Sequence, residues 1–186
     1  MASITIKWHG PRLFTPFWDP ASSVYSDSLA WQPGIYLWTF PEDGAYWINY
    51  VGIAHAKSIA SRQSEHLGTF LSGNYLFYLS SELRVGDVTC AYRPSEGHEK
   101  YIKKLPELVQ QLQLMQIFFA PLDSEKALLE RIESGLITSL RDQGGQILKR
   151  LANERLSRHR KHDEATLDVG FESSSALIGM PTRIVV

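Results

Sequence analysis

Two tyrosines, one arginine, one histidine and one glutamate stand out as side chains that could do chemistry together: Tyr36, Tyr50, Arg62, His66 and Glu133. A phenol or an imidazole can position or deprotonate a water molecule. A carboxylate can hold a divalent cation, and a guanidinium can bind a phosphate. A metal ion and a cation that neutralise a phosphate, with a base that activates water, are what phosphodiester hydrolysis requires. The residue types therefore indicate metal-assisted phosphodiester cleavage.

Glu133 is the most informative of the five because its helical neighbours are Leu129, Leu136, Ile137 and Leu140. This spacing places the carboxylate in the apolar stripe of a helix. A carboxylate that faces a core is costly unless it is paired or binds a metal ion. The alternative, a glutamate at the edge of the stripe that reaches water, is equally compatible with the periodicity.

Arg62 and His66 are spaced i, i+4 on a second predicted helix, on a stripe with Ile59 and Phe70. Taken singly, an arginine is most often a surface residue, and such a histidine is most often a hydrogen-bonded structural residue. The two tyrosines, taken singly, are ordinary members of a hairpin core. The combination of the five residues is what favours a catalytic site.

Residues 34–52, GIYLWTFPEDGAYWINYVG, predict a β-hairpin because β-branched and aromatic residues fill two runs around a turn. A three-residue loop that ends with Gly44 in the left-handed conformation would place Tyr36 directly opposite Tyr50 on one face. A two-residue turn through Asp43 and Gly44 would send the two phenols to opposite faces, because a one-residue slip inverts every side chain. We favour the three-residue loop.

The remaining elements are predicted from periodicity and from capping residues. They are a helix over 58–70 capped by Ser58, a helix over 104–112, a buried strand over 114–120, and a helix that begins after Asp123 or Ser124 and ends near Leu140. The first 30 residues predict an aromatic extended arm with one short strand. The last twenty or so residues predict a tail or an edge strand.

A basic run, KRLANERLSRHRKH, covers residues 149–162 and includes Lys149, Arg150, Arg155 and Arg158. A charge run of this kind is usually the solvated face of a helix. Its functional interpretation is a patch that contacts phosphates.

Composition excludes several other classes. The chain has 19 basic and 20 acidic residues, so net charge does not indicate a nucleic-acid partner, and no apolar stretch reaches the roughly 20 residues of a membrane span. The single cysteine, Cys90, and the absence of a signal-peptide pattern favour a cytoplasmic protein. No CxxC, HExxH or phosphate-loop motif is present.

The order of GIY, YVG, Arg62 with His66, and Glu133 within ALLERIESGLI resembles the GIY-YIG nuclease family. The similarity runs from about Gly34 to Ile137. It implies a small α+β domain, with a three-stranded antiparallel sheet flanked by helices, that cuts double-stranded DNA with one Mg²⁺ or Mn²⁺ ion. The resemblance implies that Glu133 holds the metal and that Arg62 grips the scissile phosphate.

The same resemblance implies that Tyr36, Tyr50 and His66 order or deprotonate the attacking water, and it leaves open whether Tyr36 or His66 is the base. The late asparagine of the family would correspond to Asn153, although the proline that usually precedes it is missing here. Together with the basic run, this predicts a nucleic-acid-binding set: Lys149, Arg150, Asn153, Arg155 and Arg158.

We therefore expect an arm over 1–30, a catalytic domain over 31–155 and a basic-then-polar extension over 156–186. A restriction, repair, mobile-element or defence role stays open, as does a homodimer. The main alternative is a catalytically silent module that binds nucleic acid or protein through the basic run. A third possibility is an unrelated α/β domain in which the motifs occur by chance.

Overall fold

A computed structural model describes residues 2–85, 89–153 and 164–186. The strands in these ranges are β1 Ala2–Leu13, β2 Gly34–Glu42, β3 Ala45–Ala54, β4 Phe77–Tyr78, β5 Cys90–Tyr92, β6 Gln116–Pro121, β7 Leu167–Ser173, β8 Leu177–Ile178 and β9 Arg183–Val185. The helices are α1 Ile59–Leu71, α2 Ser80–Arg84, α3 His98–Leu114, α4 Lys126–Asp142 and α5 Gly145–Arg150. None of these helices combines the length and the apolar character needed to cross a membrane.

Within the described ranges, seven strands form one mixed sheet in the order β8-β3-β2-β6-β1-β7-β9, and β4 and β5 form a separate pair. The expected small three-stranded antiparallel sheet is therefore wrong. The reason lies at the chain ends, because β1 pairs with β6 on one side and runs parallel to β7 on the other. Strand partners so distant along the chain leave no local pattern in the sequence.

The N-terminal residues also differ from the extended arm with one short strand that the sequence predicted. β1 is 12 residues long and lies inside the sheet. Near the other end of the chain, β7 is an inner strand and β9 forms one edge of the sheet. The edge-strand alternative for the last residues thus describes β9.

The β2–β3 hairpin turns through two residues. Glu42 pairs with Ala45, and the intervening Asp43 and Gly44 both have positive φ, at 47° and 82°. Two consecutive positive φ angles are typical of a type I′ turn, whose twist matches that of the flanking strands. The expected three-residue loop is therefore wrong, together with the direct pairing of the two tyrosines that it predicted.

A β-bulge at Asn49 nevertheless places both tyrosines on one face. The register shifts between Trp38 and Thr39 of β2, so Asn49 on β3 is left without a strand partner. One extra residue moves all the later side chains of a strand to the other face. Tyr50 therefore joins Tyr36, and their ring centroids are 6.2 Å apart.

The two faces of the sheet carry separate cores. Alternation along β2 sends Tyr36 and Trp38 to one face, where α1 and α3 pack, and sends Ile35 and Leu37 to the other, where α4 packs. We call these the aromatic face and the aliphatic face. The helices α1 and α3 thus pack on the face of the hairpin that carries the tyrosines, and α4 packs on the opposite face.

The predicted cap of α1 is confirmed, since the Ser58 hydroxyl accepts a hydrogen bond from the Ser61 backbone N–H. This cap sets the start of the helix and thereby the phase of its buried stripe. Other boundaries differ: α3 begins at His98, six residues before the predicted start, and Glu125 precedes α4 without a side-chain cap.

Candidate active site

The centre of the site is a hydrogen bond between the β2 strand and the α1 helix. The Tyr36 hydroxyl lies 2.9 Å from His66 Nε2, and Tyr36 is 1% exposed while His66 is 7% exposed. The His66 ring packs edge-on against Trp38, whose indole N–H donates to Gln63 Oε1 at 2.8 Å. Two side chains of α1 are thus bonded to the hairpin, which fixes the imidazole against the phenol.

The close packing of Tyr36 against residue 52 explains why this position is a glycine. A Cβ at this position would lie 2.5 Å from both Cζ and Oη of Tyr36 and 2.7 Å from the ring of Tyr50. The Tyr36 ring therefore lies directly over the Gly52 backbone. Any side chain here would displace the phenol from His66.

Tyr50 is the more accessible of the two phenols. It is half-buried, and its ring centroid lies 4.6 Å from that of Trp38 and 6.3 Å from that of His66. The two phenols and the imidazole therefore form one contiguous cluster, with Tyr50 on its solvent side.

Arg62 lies one turn before His66 on α1 and borders a cavity of about 360 Å³. The cavity is also lined by His55, Lys57 and Lys126, so we call it the basic cavity. The Arg62 guanidinium donates to Glu65 at 2.9 Å, and 40% of its side chain is exposed. This cation is therefore available to an anion that enters the cavity.

Glu133 is 5% exposed on α4, which overturns the alternative that its carboxylate reaches water at the edge of the stripe. Burial raises the pKa of Tyr50, and the negative charge of Glu133 adds to that rise; the same charge also contributes to the raised pKa of Tyr36. The Glu133 charge therefore acts on both phenols through space. The structure thus brings Tyr36, Tyr50, Arg62 and His66 together, and it links Glu133 to them through the effect of its charge on the two phenols.

The cluster has definite protonation states near neutral pH. Burial, reinforced by Tyr50, raises the pKa of Tyr36 well above its usual value, although Arg62 opposes this rise. Burial and the Arg62 charge lower the pKa of His66 to about 4. Tyr36 is therefore a protonated phenol and His66 is a neutral imidazole, and in the tautomer with the imidazole proton on Nδ1 the phenol donates its hydrogen bond to Nε2.

The predicted nucleic-acid-binding residues have separate locations. Lys149 is exposed at the end of α5. Arg150 is 8% exposed, forms a bidentate ion pair with Glu42, and lies 5.4 Å from the ring centroid of Trp47. These contacts make Arg150 part of the hairpin packing rather than of an open patch. Arg155 and Arg158 lie outside the described residues.

The side-chain amide of Asn153 forms two hydrogen bonds with the backbone of Val51. It donates to the Val51 carbonyl oxygen and accepts from the Val51 N–H, each at 2.8 Å. Beside it, the side-chain N–H of the bulged Asn49 donates to the Arg150 carbonyl at 2.7 Å, and the Asn49 backbone carbonyl accepts from the Ala152 N–H. Residues 150–153 thus fasten β3 at its bulge, and we call these contacts the asparagine clip.

Sequence reasoning missed Asn49, Gln63 and the structural use of Asn153. Asn49 interrupts an apolar run of the hairpin, and Gln63 lies on the apolar helical stripe of Ile59 and Phe70, as Glu133 does on its own helix; that was the available signal. Their partners lie far along the chain, and no local pattern reveals them.

The donor set was tested for a divalent cation. Among residues 2–85, 89–153 and 164–186, no group of three or more His, Cys, Asp and Glu side chains is placed to hold a metal ion. Mg²⁺, however, usually keeps several waters and takes only one or two carboxylates together with substrate phosphates. Glu133 supplies one such carboxylate.

Comparisons of the chain with protein-family models, with curated proteins and with solved structures find no match.

Proposed function

We propose that this protein is a metal-dependent endonuclease that hydrolyses phosphodiester bonds of double-stranded DNA in a site of the GIY-YIG type, carried on a larger sheet. The observation that supports it is the convergence of the Tyr36–His66 hydrogen bond with Tyr50, Arg62 and Glu133. Two phenols, a neutral imidazole, a guanidinium and one carboxylate supply the groups that the reaction needs.

The basic cavity would bind the DNA backbone. Arg62 would contact the scissile phosphate, and the cations of Lys57 and Lys126 would meet the neighbouring phosphates. Glu133 would hold Mg²⁺ or Mn²⁺, which when bound supplies charge neutralisation at the phosphate and acidifies water.

The protonation states favour His66 over Tyr36 as the base. A buried phenol with a raised pKa does not ionise near neutral pH, whereas the neutral imidazole can accept a proton. Tyr50, the more accessible phenol, would order the attacking water, and Tyr36 would connect that water with His66. We therefore propose His66, rather than Tyr36, as the base.

The proton and bond changes balance within this cluster. The water gives up one proton, which moves along the phenol hydroxyls to His66 Nε2 and leaves an imidazolium. The water oxygen bonds to phosphorus as the bond to the leaving oxygen breaks, and the leaving oxygen takes a proton from solvent. The imidazolium then returns its proton to solvent.

Cleavage of supercoiled plasmid in Mg²⁺ or Mn²⁺, with EDTA as the blank, tests the proposal. Glu133→Gln keeps the side-chain volume but removes the charge, and we expect nicking to fall at least a hundredfold while DNA binding stays. Glu99→Gln is the matched control, because this exposed residue lies on α3 and pairs with Lys103, away from the residues that line the basic cavity. Equal nicking by Glu133→Gln and the wild type would refute the assignment of Glu133.

The same assay separates the proposal from its alternative. Binding of DNA by the wild-type protein without any metal-dependent cutting would favour a catalytically silent binding module. If the protein does cut DNA, mapping of the cut positions on plasmid and on branched DNA would distinguish a restriction, repair or mobile-element role.

A further inference from the structure

A second cavity reaches the cluster at Tyr50. It has a volume of about 400 Å³ and shares no lining residue with the basic cavity. We call it the aromatic cavity. The basic cavity therefore borders the cluster at Arg62, and the aromatic cavity borders it at Tyr50.

The lining of the aromatic cavity has a different chemistry from that of the basic cavity. Two tyrosines and two asparagines line it together with three apolar residues: Tyr50, Tyr75, Asn74, Asn153, Leu76, Pro94 and Ala152. None of the residues that line it in the described part of the chain carries a charge. The described lining offers a phosphate no cation, whereas a flat, polar-edged ring can stack on a phenol and bond to an amide.

The walls of the cavity are held in place before any ligand binds. The Tyr75 ring lies 4.6 Å from that of Phe70 and 6.0 Å from that of Trp38. Asn74 is fixed by its backbone N–H, which donates to Thr69, and by its side-chain N–H, which donates to Ser72 Oγ. Its side-chain carbonyl makes no hydrogen bond with the described residues. Groups that are already ordered bind a ligand at a smaller entropy cost.

We propose that the aromatic cavity binds one unpaired nucleobase of the DNA, next to the phosphate that is cut. This inference rests on the proposed function and names its substrate class. In an intact duplex each base is stacked and paired, so only a base that has left the stack can enter the cavity. The protein would therefore prefer distorted DNA that contains an unpaired base to a perfect duplex.

Binding of three oligonucleotide duplexes to the Glu133→Gln variant tests the inference by fluorescence anisotropy. One duplex is fully paired, one carries an extra unpaired thymine, and one carries an extra abasic nucleotide at the same place. Stacking of a base on an aromatic side chain predicts about tenfold tighter binding of the unpaired thymine than of the abasic site. Equal affinity for these two duplexes would overturn the inference.

Tyr75 variants made in the Glu133→Gln background show whether the ring is responsible. Tyr75→Phe keeps the ring and should keep the preference, whereas Tyr75→Leu removes the ring and should abolish it. If the leucine variant does not fold, photo-crosslinking of the Glu133→Gln protein tests the inference instead. A 5-iodouracil at the unpaired position should crosslink to Tyr75 or Tyr50 under irradiation. A crosslink confined to other residues would place the base elsewhere and refute the inference.

The two proposals can fail separately. Metal-dependent plasmid cutting without a preference for the unpaired thymine would support the endonuclease activity and refute base binding in the aromatic cavity. A base-dependent preference with the expected crosslink, but without cutting, overturns hydrolysis and supports the cavity as a base-binding site. Failure to bind any of the three duplexes overturns both.

Discussion

Acidification should destabilise this protein through His66. The pKa of this residue falls from 6.5 to about 4 in the folded state, chiefly because burial disfavours the charged imidazolium. Between these two values the unfolded chain binds a proton on His66 that the folded chain does not, so the free energy of unfolding decreases as the pH falls. With about 1.4 kcal/mol for each pKa unit, the contribution is about 3 kcal/mol between pH 7 and pH 4, of which about 2 kcal/mol is lost by pH 5.

Urea denaturation at pH 7, 6 and 5, followed by tryptophan fluorescence, measures this loss. His66→Gln is the informative variant, because its amide oxygen can still accept a hydrogen bond from Tyr36 but does not titrate. Every other ionisable group is shared, so the difference between the two proteins isolates His66. We expect the wild type to lose about 2 kcal/mol more than His66→Gln between pH 7 and pH 5. His55→Gln, at an exposed position, controls for the loss of a histidine.

Parallel stability curves for the wild type and His66→Gln would refute this reasoning. They would mean that His66 binds its proton as readily in the folded protein as in the unfolded chain. The imidazole would then be charged at mildly acidic pH, and its role as the neutral proton acceptor for Tyr36 would lose its physical basis.

Three further predictions concern the hairpin. Gly52→Ala should cost about 1–3 kcal/mol in urea denaturation and reduce plasmid cutting strongly, because its Cβ would collide with the Tyr36 phenol. Asn153→Ala should cost about 1–3 kcal/mol in the same measurement by leaving both backbone groups of Val51 without their partner, whereas an unchanged stability would show that the asparagine clip is unimportant. Gly44→Val should lower the melting temperature more than Gly44→Asn, because the positive φ of 82° disfavours a β-branched residue most.

Local features of the sequence predicted much of what positions the site. The capping serine and the apolar spacing gave the start of α1 and the orientation of His66, and the spacing of leucines around Glu133 placed a carboxylate in a buried stripe. Both predictions depend on interactions within one or two helical turns, which any short stretch of chain already contains. The hairpin was also predictable, because its two apolar runs and its Asp43-Gly44 turn are contiguous.

The register of that hairpin was not predictable from the same residues. The turn alone would have placed Tyr36 and Tyr50 on opposite faces of the sheet, and the bulge at Asn49 places them on the same face. The contacts that accompany this bulge come from residues 150–153, about a hundred positions later in the chain. A one-residue change of register leaves the local sequence pattern intact, so distant contacts had to decide it.

The sequence by itself determined which residues could do chemistry and which helix stripes would carry them, because side-chain type and helical period are local properties. Only the tertiary structure decided that the sheet has seven strands, that a bulge aligns the two phenols, and that the imidazole is neutral. Strand pairing joins segments from opposite ends of the chain, and a pKa depends on everything that excludes water around a group. Neither property exists before the chain has folded.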